Sequence, residues 1–108
     1  MRILVFFYMK NHNYYIYILT NFTKKVLYTG VTNNIARRLY EHRYVEKNSF
    51  CYKYRYYYLI YYDWFQDINQ AIEEEKRIKG WKREKKIRLI RTMNPEMKFL
   101  NDLLEDIF

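Results

Sequence analysis

Residues Tyr14 to Thr20 read YYIYILT, a run of aromatic and β-branched side chains that suits an extended strand. A polar break, Asn21-Phe22-Thr23-Lys24-Lys25, separates it from a second short run, Val26 to Thr29, which Gly30 is expected to end. Two strands around a five-residue connection make a β-hairpin. With its turn centred on Phe22-Thr23, the hairpin sets Tyr17 opposite Tyr28 and Leu19 opposite Val26. Two phenols then stand side by side next to a glycine that admits a ligand or another backbone. The ordinary reading of such a pair is two sheet tyrosines with buried rings and wet hydroxyls.

The rest of the chain alternates periods. Thr32-Asn33-Asn34 offers N-cap side chains to a helix from Ile35 to Arg43, with Ile35, Leu39 and His42 at helical spacing. Val45 to Tyr54 carries no clean pattern and reads as a loop, and Tyr56 to Trp64 reads as a third strand. Asp67 and Gln70 have capping-box spacing ahead of a helix to about Lys79, with Ile68, Ala71, Ile72 and Ile78 as its apolar stripe. Gly80 ends it. A basic helix follows from Lys85 to about Thr92, and Asn94-Pro95 opens a last helix towards Ile107. The expected class is α+β: a small three-stranded antiparallel sheet flanked by helices, in the order β-β-α-β-α-α-α.

At 108 residues the chain has room for one domain, assigned to 14–108 behind an apolar extension at 1–13. Ile3 to Met9 is far too short to span a bilayer, which takes about 20 residues, and Lys10-Asn11-His12-Asn13 follows where a signal peptide needs small residues. An edge strand or a dispensable extension remains, and membrane-surface contact enters only through this run. Cys51 is the sole cysteine; with His12 and His42 it has no zinc-ligand spacing, and a free thiol fits a reducing cytoplasm. Tyr, Asn, Lys and Ile are all abundant, as an A/T-rich coding sequence would give, so the 14 tyrosines alone carry no function. A net charge of +8 favours a polyanionic partner, with nucleic acid ahead of a membrane surface.

Three side chains stand out from this background. Glu73 and Glu74 fall on the outer side of their helix, but Glu75 lies on the apolar stripe with Ile72 and Ile78. A carboxylate there must be paired, protonated or bound to a metal, and an inward-facing arginine is the ordinary partner. Arg38 lies near the buried face of its helix or belongs to a basic surface patch. His42 is a candidate catalyst or a satisfied half-buried histidine.

Tyr15-Ile16-Tyr17, then Tyr28-Thr29-Gly30 with eleven residues from Tyr17 to Tyr28, then Arg38-x-x-x-His42 and the inward Glu75, resembles the signature of the GIY-YIG nuclease family. The agreement runs from about Tyr14 to Asn94. Glu75 to Arg83 (EKRIKGWKR) is most similar to small stand-alone bacterial members of that family, which are related to the N-terminal nuclease module of a repair excinuclease. Tyr15 stands for the first glycine, Thr29 for the middle isoleucine, and Val31 where some members are polar or basic. These departures bear on substrate preference and rate more than on activity.

The resemblance implies a DNA endonuclease, structure-selective or linked to repair. Its implied catalytic set is Tyr17, Tyr28, Arg38, His42 and Glu75, with Glu75 as sole protein ligand of Mg²⁺ or Mn²⁺. Tyr17 is expected to take the proton of the attacking water, its phenol lowered from a pKa near 10 by Arg38 and the metal. Gly30, Arg37, Arg38, Lys82, Arg83, Lys85, Lys86 and Asn94 are the expected nucleic-acid contacts, and Tyr52 to Tyr58 is either a stacking surface or a tyrosine-rich strand with its lead-in. The rival expectation is a DNA- or RNA-binding module of the same fold that cuts slowly or not at all.

Overall fold

The computed structural model describes residues 13–105. Among these, nine elements follow one another: β1 (Tyr14–Thr20), β2 (Leu27–Thr32), α1 (Ile35–Tyr40), a π-helical turn (Glu41–Val45), α2 (Phe50–Tyr54), β3 (Tyr58–Phe65), α3 (Ile68–Lys79), α4 (Arg83–Met93) and α5 (Asp102–Glu105). The strands form one antiparallel sheet in the order β2-β1-β3. The α+β class and the three-stranded sheet are as expected, with one more helix than the sequence suggests. The expectation for Ile3 to Met9 lies outside the described residues.

β1 is central and its alternation divides the interior in two. Ile16 and Ile18 join Ile60, Tyr61, Ile78 and Ile90, so α3 and α4 close that layer. Tyr17 and Leu19 join Ile35, Cys51, Tyr56 and Leu59, which α1 and α2 cover. All four β1 residues are at most 1% exposed, as a central strand between two helical layers requires. Of the expected stripe on α3, Ala71 and Ile78 are buried, whereas Ile68 remains 38% exposed.

The hairpin register differs from expectation. Tyr17 pairs with Gly30 and Leu19 with Tyr28, and β2 continues through Gly30 to Thr32. The turn does close between Asn21 and Lys24, the Lys24 N–H donating to the Asn21 carbonyl at 3.0 Å. Lys24 then adopts a left-handed φ of 60°, so the chain re-enters the ladder two residues late. The Asn21 carboxamide accepts from the Lys25 N–H, and Arg83 donates to the Lys24 and Lys25 carbonyls, holding that detour in place. A shift of two keeps every side chain on its face, so Tyr17 and Tyr28 still share a side as diagonal neighbours.

Asn34 caps α1 by accepting the Arg37 N–H, and Asp67 caps α3 by accepting the Asn69 N–H. The expected helix to Arg43 widens after Tyr40 into a π-turn closed by Glu46 N–H to Glu41 carbonyl at 2.8 Å. Val45 to Tyr54 is not all loop: Ser49 caps α2, and Arg55, at a φ of 57°, stops it. The last helix does not start at Pro95. The Asn94 N–H closes α4 on the Ile90 carbonyl, while its side chain accepts from Lys98 N–H and donates to the Lys98 and Ile60 carbonyls. The segment after it runs along the free edge of β3. There Leu100 N–H donates to the Leu59 carbonyl, and the Asn101 side chain bridges Leu59 N–H and the Tyr57 carbonyl.

Candidate active site

The register sets Gly30 opposite Tyr17, and the Tyr17 ring lies directly over it. A Cβ added at Gly30 would meet the ring and its hydroxyl at 2.4 Å, closer than any real contact. The space that the sequence assigned to a ligand is filled by the phenol itself. Tyr17 is 1% exposed, and its hydroxyl lies 3.0 Å from His42 Nε2. The Tyr28 ring stands 6.4 Å from Tyr17 and meets the imidazole edge-on at 5.7 Å. Two strand phenols and one histidine from the π-turn thus converge on the α1–α2 side of the sheet.

Burial pushes the Tyr17 phenol well above the ordinary tyrosine range, and Tyr28 beside it adds to the rise; the Arg38 hydrogen bond and charge oppose both. The expected lowering is therefore outweighed, and Tyr17 is a neutral phenol at physiological pH. Burial also holds the His42 imidazole below its usual value, assisted by Arg38 and opposed by Glu46 and Glu41. His42 is 2% exposed and neutral, so it has one proton for two nitrogens. With Nε2 accepting from Tyr17, that proton sits on Nδ1. Nδ1 has no hydrogen-bond partner, and the Glu46 Oε2 is 3.9 Å away.

Arg38 is held in this group from the other side. Its Nη1 contacts Glu41 Oε1 at 3.2 Å and Glu46 Oε1 at 2.5 Å. Burial works against its charge, but the hydrogen bonds to Glu46, Glu41 and Tyr17 more than compensate and keep it firmly protonated. Cys51, buried beneath, is pushed up to about 11 by burial, which makes it an inert thiol that shares a hydrogen bond with Tyr28.

Glu75 lies on α3, which packs on β2 and β1, and its charge is felt at the Tyr28 phenol. Its side chain is 14% exposed and ion-paired with Lys79 at 2.8 Å, the partner being a lysine one turn on rather than an arginine. The Tyr28 phenol is raised chiefly by burial and by Cys51, while Lys79 and Arg38 lower it and Glu75 raises it, so all these groups share one electrostatic neighbourhood. Among the described residues no group of three or more His, Cys, Asp or Glu side chains is placed to hold a metal ion. A hard divalent cation at Glu75 would have one carboxylate and otherwise water or phosphate oxygens, a donor set that suits Mg²⁺ or Mn²⁺. That carboxylate is partly accessible, and its Lys79 partner is half exposed.

The remaining candidates lie apart from the phenols. Arg37 is exposed and donates to Asn33. Lys82 is the exposed N-cap of α4, Lys85 sits 4.2 Å over the Trp81 ring, and Lys86 is half-buried. The Arg83 guanidinium is engaged by the hairpin carbonyls. Asn94 is 6% exposed and fully used in tying α4 to β3 and to Lys98, so it braces the fold instead of facing a ligand. Sequence reasoning missed Glu41, Glu46, Cys51 and Lys79. Glu41 and Lys79 were within reach as i,i+3 and i,i+4 partners of Arg38 and Glu75; Glu46 was hidden by the helix being expected to stop at Arg43.

A tyrosine pair on a hairpin, a histidine and an arginine from the next helical segment and a carboxylate from the helix after β3 define a GIY-YIG type of nuclease-family domain. The sequence pattern of the GIY-YIG catalytic domain matches residues 13–88, and the chain belongs to that family. It is similar to a UPF0213 protein of Bacillus pumilus (strain SAFR-032), 33% identical over 88 residues that cover 82% of this chain and 89% of the relative. No solved structure matches the chain.

Proposed function

We propose that this chain is a metal-dependent endonuclease that hydrolyses phosphodiester bonds in DNA. The observation that carries this reading is the 3.0 Å contact between the Tyr17 hydroxyl and His42 Nε2 beside Arg38. A buried neutral phenol is a poor base alone, but one that hands its own proton to a neutral imidazole while taking one from water avoids becoming a free phenolate. Glu46, 3.9 Å from Nδ1, stabilises the imidazolium that results. Arg38 exchanges its two carboxylates for the phosphate and offsets charge growing in the transition state. Tyr28 orients the water. Glu75, with Lys79 displaced, would hold Mg²⁺ or Mn²⁺. When bound, the cation polarises the phosphate and stabilises the leaving oxygen.

The basic side chains Arg37, Lys82, Lys85 and Lys86 then contact the backbone without reading sequence, an affinity that falls with salt. Among the described residues no helix is long and apolar enough to cross a membrane. With its free Cys51 the protein is assigned to the cytoplasm, and a repair role is the reading drawn from its likeness to the excinuclease module. The test is incubation with supercoiled plasmid and branched oligonucleotides, with and without Mg²⁺ or Mn²⁺. Glu75→Ala is expected to abolish cleavage and leave the circular dichroism spectrum and DNA affinity intact; equal rates in both proteins would refute the metal assignment.

A second reading is a DNA- or RNA-binding module without cleavage. It is favoured by the engagement of Arg38 with Glu41 and Glu46 and of Glu75 with Lys79, since both reactive groups are neutralised within the chain. Substrate must break both sets of contacts before cleavage can occur. The plasmid assay separates the two readings.

A further inference from the structure

Among the described residues, most of the exposed large aromatic side chains lie around the π-turn and α2. Tyr40, Tyr44, Phe50, Tyr52 and Tyr54 are all at least 36% exposed, within fifteen residues of one another. Part of this surface is concave: a groove of about 640 Å³ whose lining includes Phe22, Arg43, Tyr44, Tyr52, Arg55 and Tyr57. Its size falls in the ~300–1,000 Å³ range usual for ligand clefts. No acidic side chain lines it. The Arg43 guanidinium lies over the Tyr44 ring at 5.4 Å and the Tyr57 ring at 5.0 Å, and among the described residues neither Arg43 nor Arg55 has an ion-pair partner.

Two guanidiniums without an ion pair, set among exposed tyrosines, are complementary to a ligand that alternates anions with flat aromatic groups. Nucleic acid is a polyanion with that repeat, and the net charge of +8 suits it. In a duplex the base faces are covered by their own stack, so the rings can be used only by unpaired nucleotides. We infer that this groove binds a single-stranded stretch of nucleic acid, its bases stacked on Tyr44 and Tyr52 and its phosphates on Arg43 and Arg55. Arg43 and His42 are neighbours on the π-turn, the first exposed and the second 2% exposed. One turn therefore presents the groove outward and the phenol cluster inward. The inference rests on nucleic acid being the substrate, and it narrows that substrate to DNA or RNA with an unpaired segment beside the bond to be cut.

The test is fluorescence anisotropy of the full chain in EDTA, where no cleavage intervenes, with a labelled oligothymidylate, a blunt duplex and the same duplex carrying a single-stranded overhang. The oligothymidylate and the overhang substrate are expected to bind more tightly than the blunt duplex. Tyr44→Ala/Tyr52→Ala should weaken binding of the first two by about 10-fold or more, as loss of base stacking does, and change the blunt duplex by less than about two-fold. Tyr44→Phe/Tyr52→Phe should retain wild-type affinity, because stacking needs the ring and not the hydroxyl. Arg43→Gln provides a separate variant that leaves both rings in place and should lose affinity for the same two probes.

Equal weakening of all three probes would overturn the inference in favour of a plain basic patch, and unchanged binding in the ring variants would do the same. A poly-glutamate competitor that displaces the oligothymidylate equally from wild-type and ring-less protein would point to an acidic peptide and also overturn it. These results stand apart from the nuclease reading. A chain that binds unpaired strands and never cuts keeps this inference and loses that one, while a chain that cuts blunt duplex unaffected by the ring variants does the reverse.

Discussion

The Tyr17 hydroxyl and His42 Nε2 lie 3.0 Å apart, on two side chains that are almost wholly buried. Burial shifts each group towards its neutral form, the phenol upward and the imidazole downward. A neutral acid thus faces a neutral acceptor, the arrangement needed for proton relay and not for a standing phenolate.

Cleavage should fail on the acid side as His42 takes up a proton and can no longer accept one from Tyr17. Because its value is below the ordinary 6.5, the acid limb of kcat/KM should lie below pH 6.5. Tyr17→Phe should lower the rate by about 10²–10⁴-fold at every pH. A rate profile in Mg²⁺ from pH 5 to 9 checks both.

Stability should follow the same group. The unfolded chain binds a proton at His42 more readily than the folded one, so stability is complete above about pH 6.5 and falls as pH drops from there towards the lowered folded value. His42→Phe should flatten that part of the curve in Tm measured between pH 5 and 8.

Gly30 and Gly80 should respond oppositely to alanine. At Gly30 the new methyl would displace the Tyr17 ring, so Gly30→Ala should lose cleavage and shift the Tyr17–His42 contact. At Gly80 the nearest atom is the Arg77 carbonyl at 3.6 Å and φ is −79°, so Gly80→Ala should stabilise by about 0.4–1 kcal/mol through the unfolded state. Thermal melts and the plasmid assay read the two effects.

Glu46→Gln should lower the His42 titration midpoint further, since Glu46 now raises it. The histidine resonances in a pH-dependent NMR series report this directly. Cleavage at pH 6 should then be less sensitive to acid than in the wild type, whereas an unmoved midpoint would show that Glu46 does not act on the imidazole.

Asn94→Ala should cost about 1–3 kcal/mol by leaving the Ile60 and Lys98 groups unsatisfied. DNA affinity at a temperature where the variant is folded should be unchanged. A loss of affinity without a loss of Tm would instead assign Asn94 to the nucleic-acid contact.

The resemblance to the GIY-YIG signature named the two tyrosines, Arg38, His42 and Glu75, and the local strand and helix periods gave the faces on which they lie. A period of two places Tyr17 and Tyr28 on one face whatever the turn does, and a period of 3.6 places Glu75 with Ile78. The pairing of Tyr17 with Gly30 was not legible, because it depends on Lys24 turning left-handed and on Arg83, 59 residues away, holding the Lys24 carbonyl. The short α2 was obscured because five residues cannot show a helical period. Asn94 and Pro95 resemble a helix start, but the same asparagine side chain instead bonds to Ile60, 34 residues back.

The amino-acid order alone thus determined the α+β class, the hairpin and the capped helices, since each rests on contacts within a few residues, while the five candidate side chains were named through the resemblance to a family signature. Tertiary structure decided the proton states of Tyr17 and His42, the pairing of Arg38 with Glu46 and of Gly30 with the Tyr17 ring, and the groove around Arg43. Those depend on burial and on groups brought together from distant segments, and desolvation acts only once the chain has closed around them.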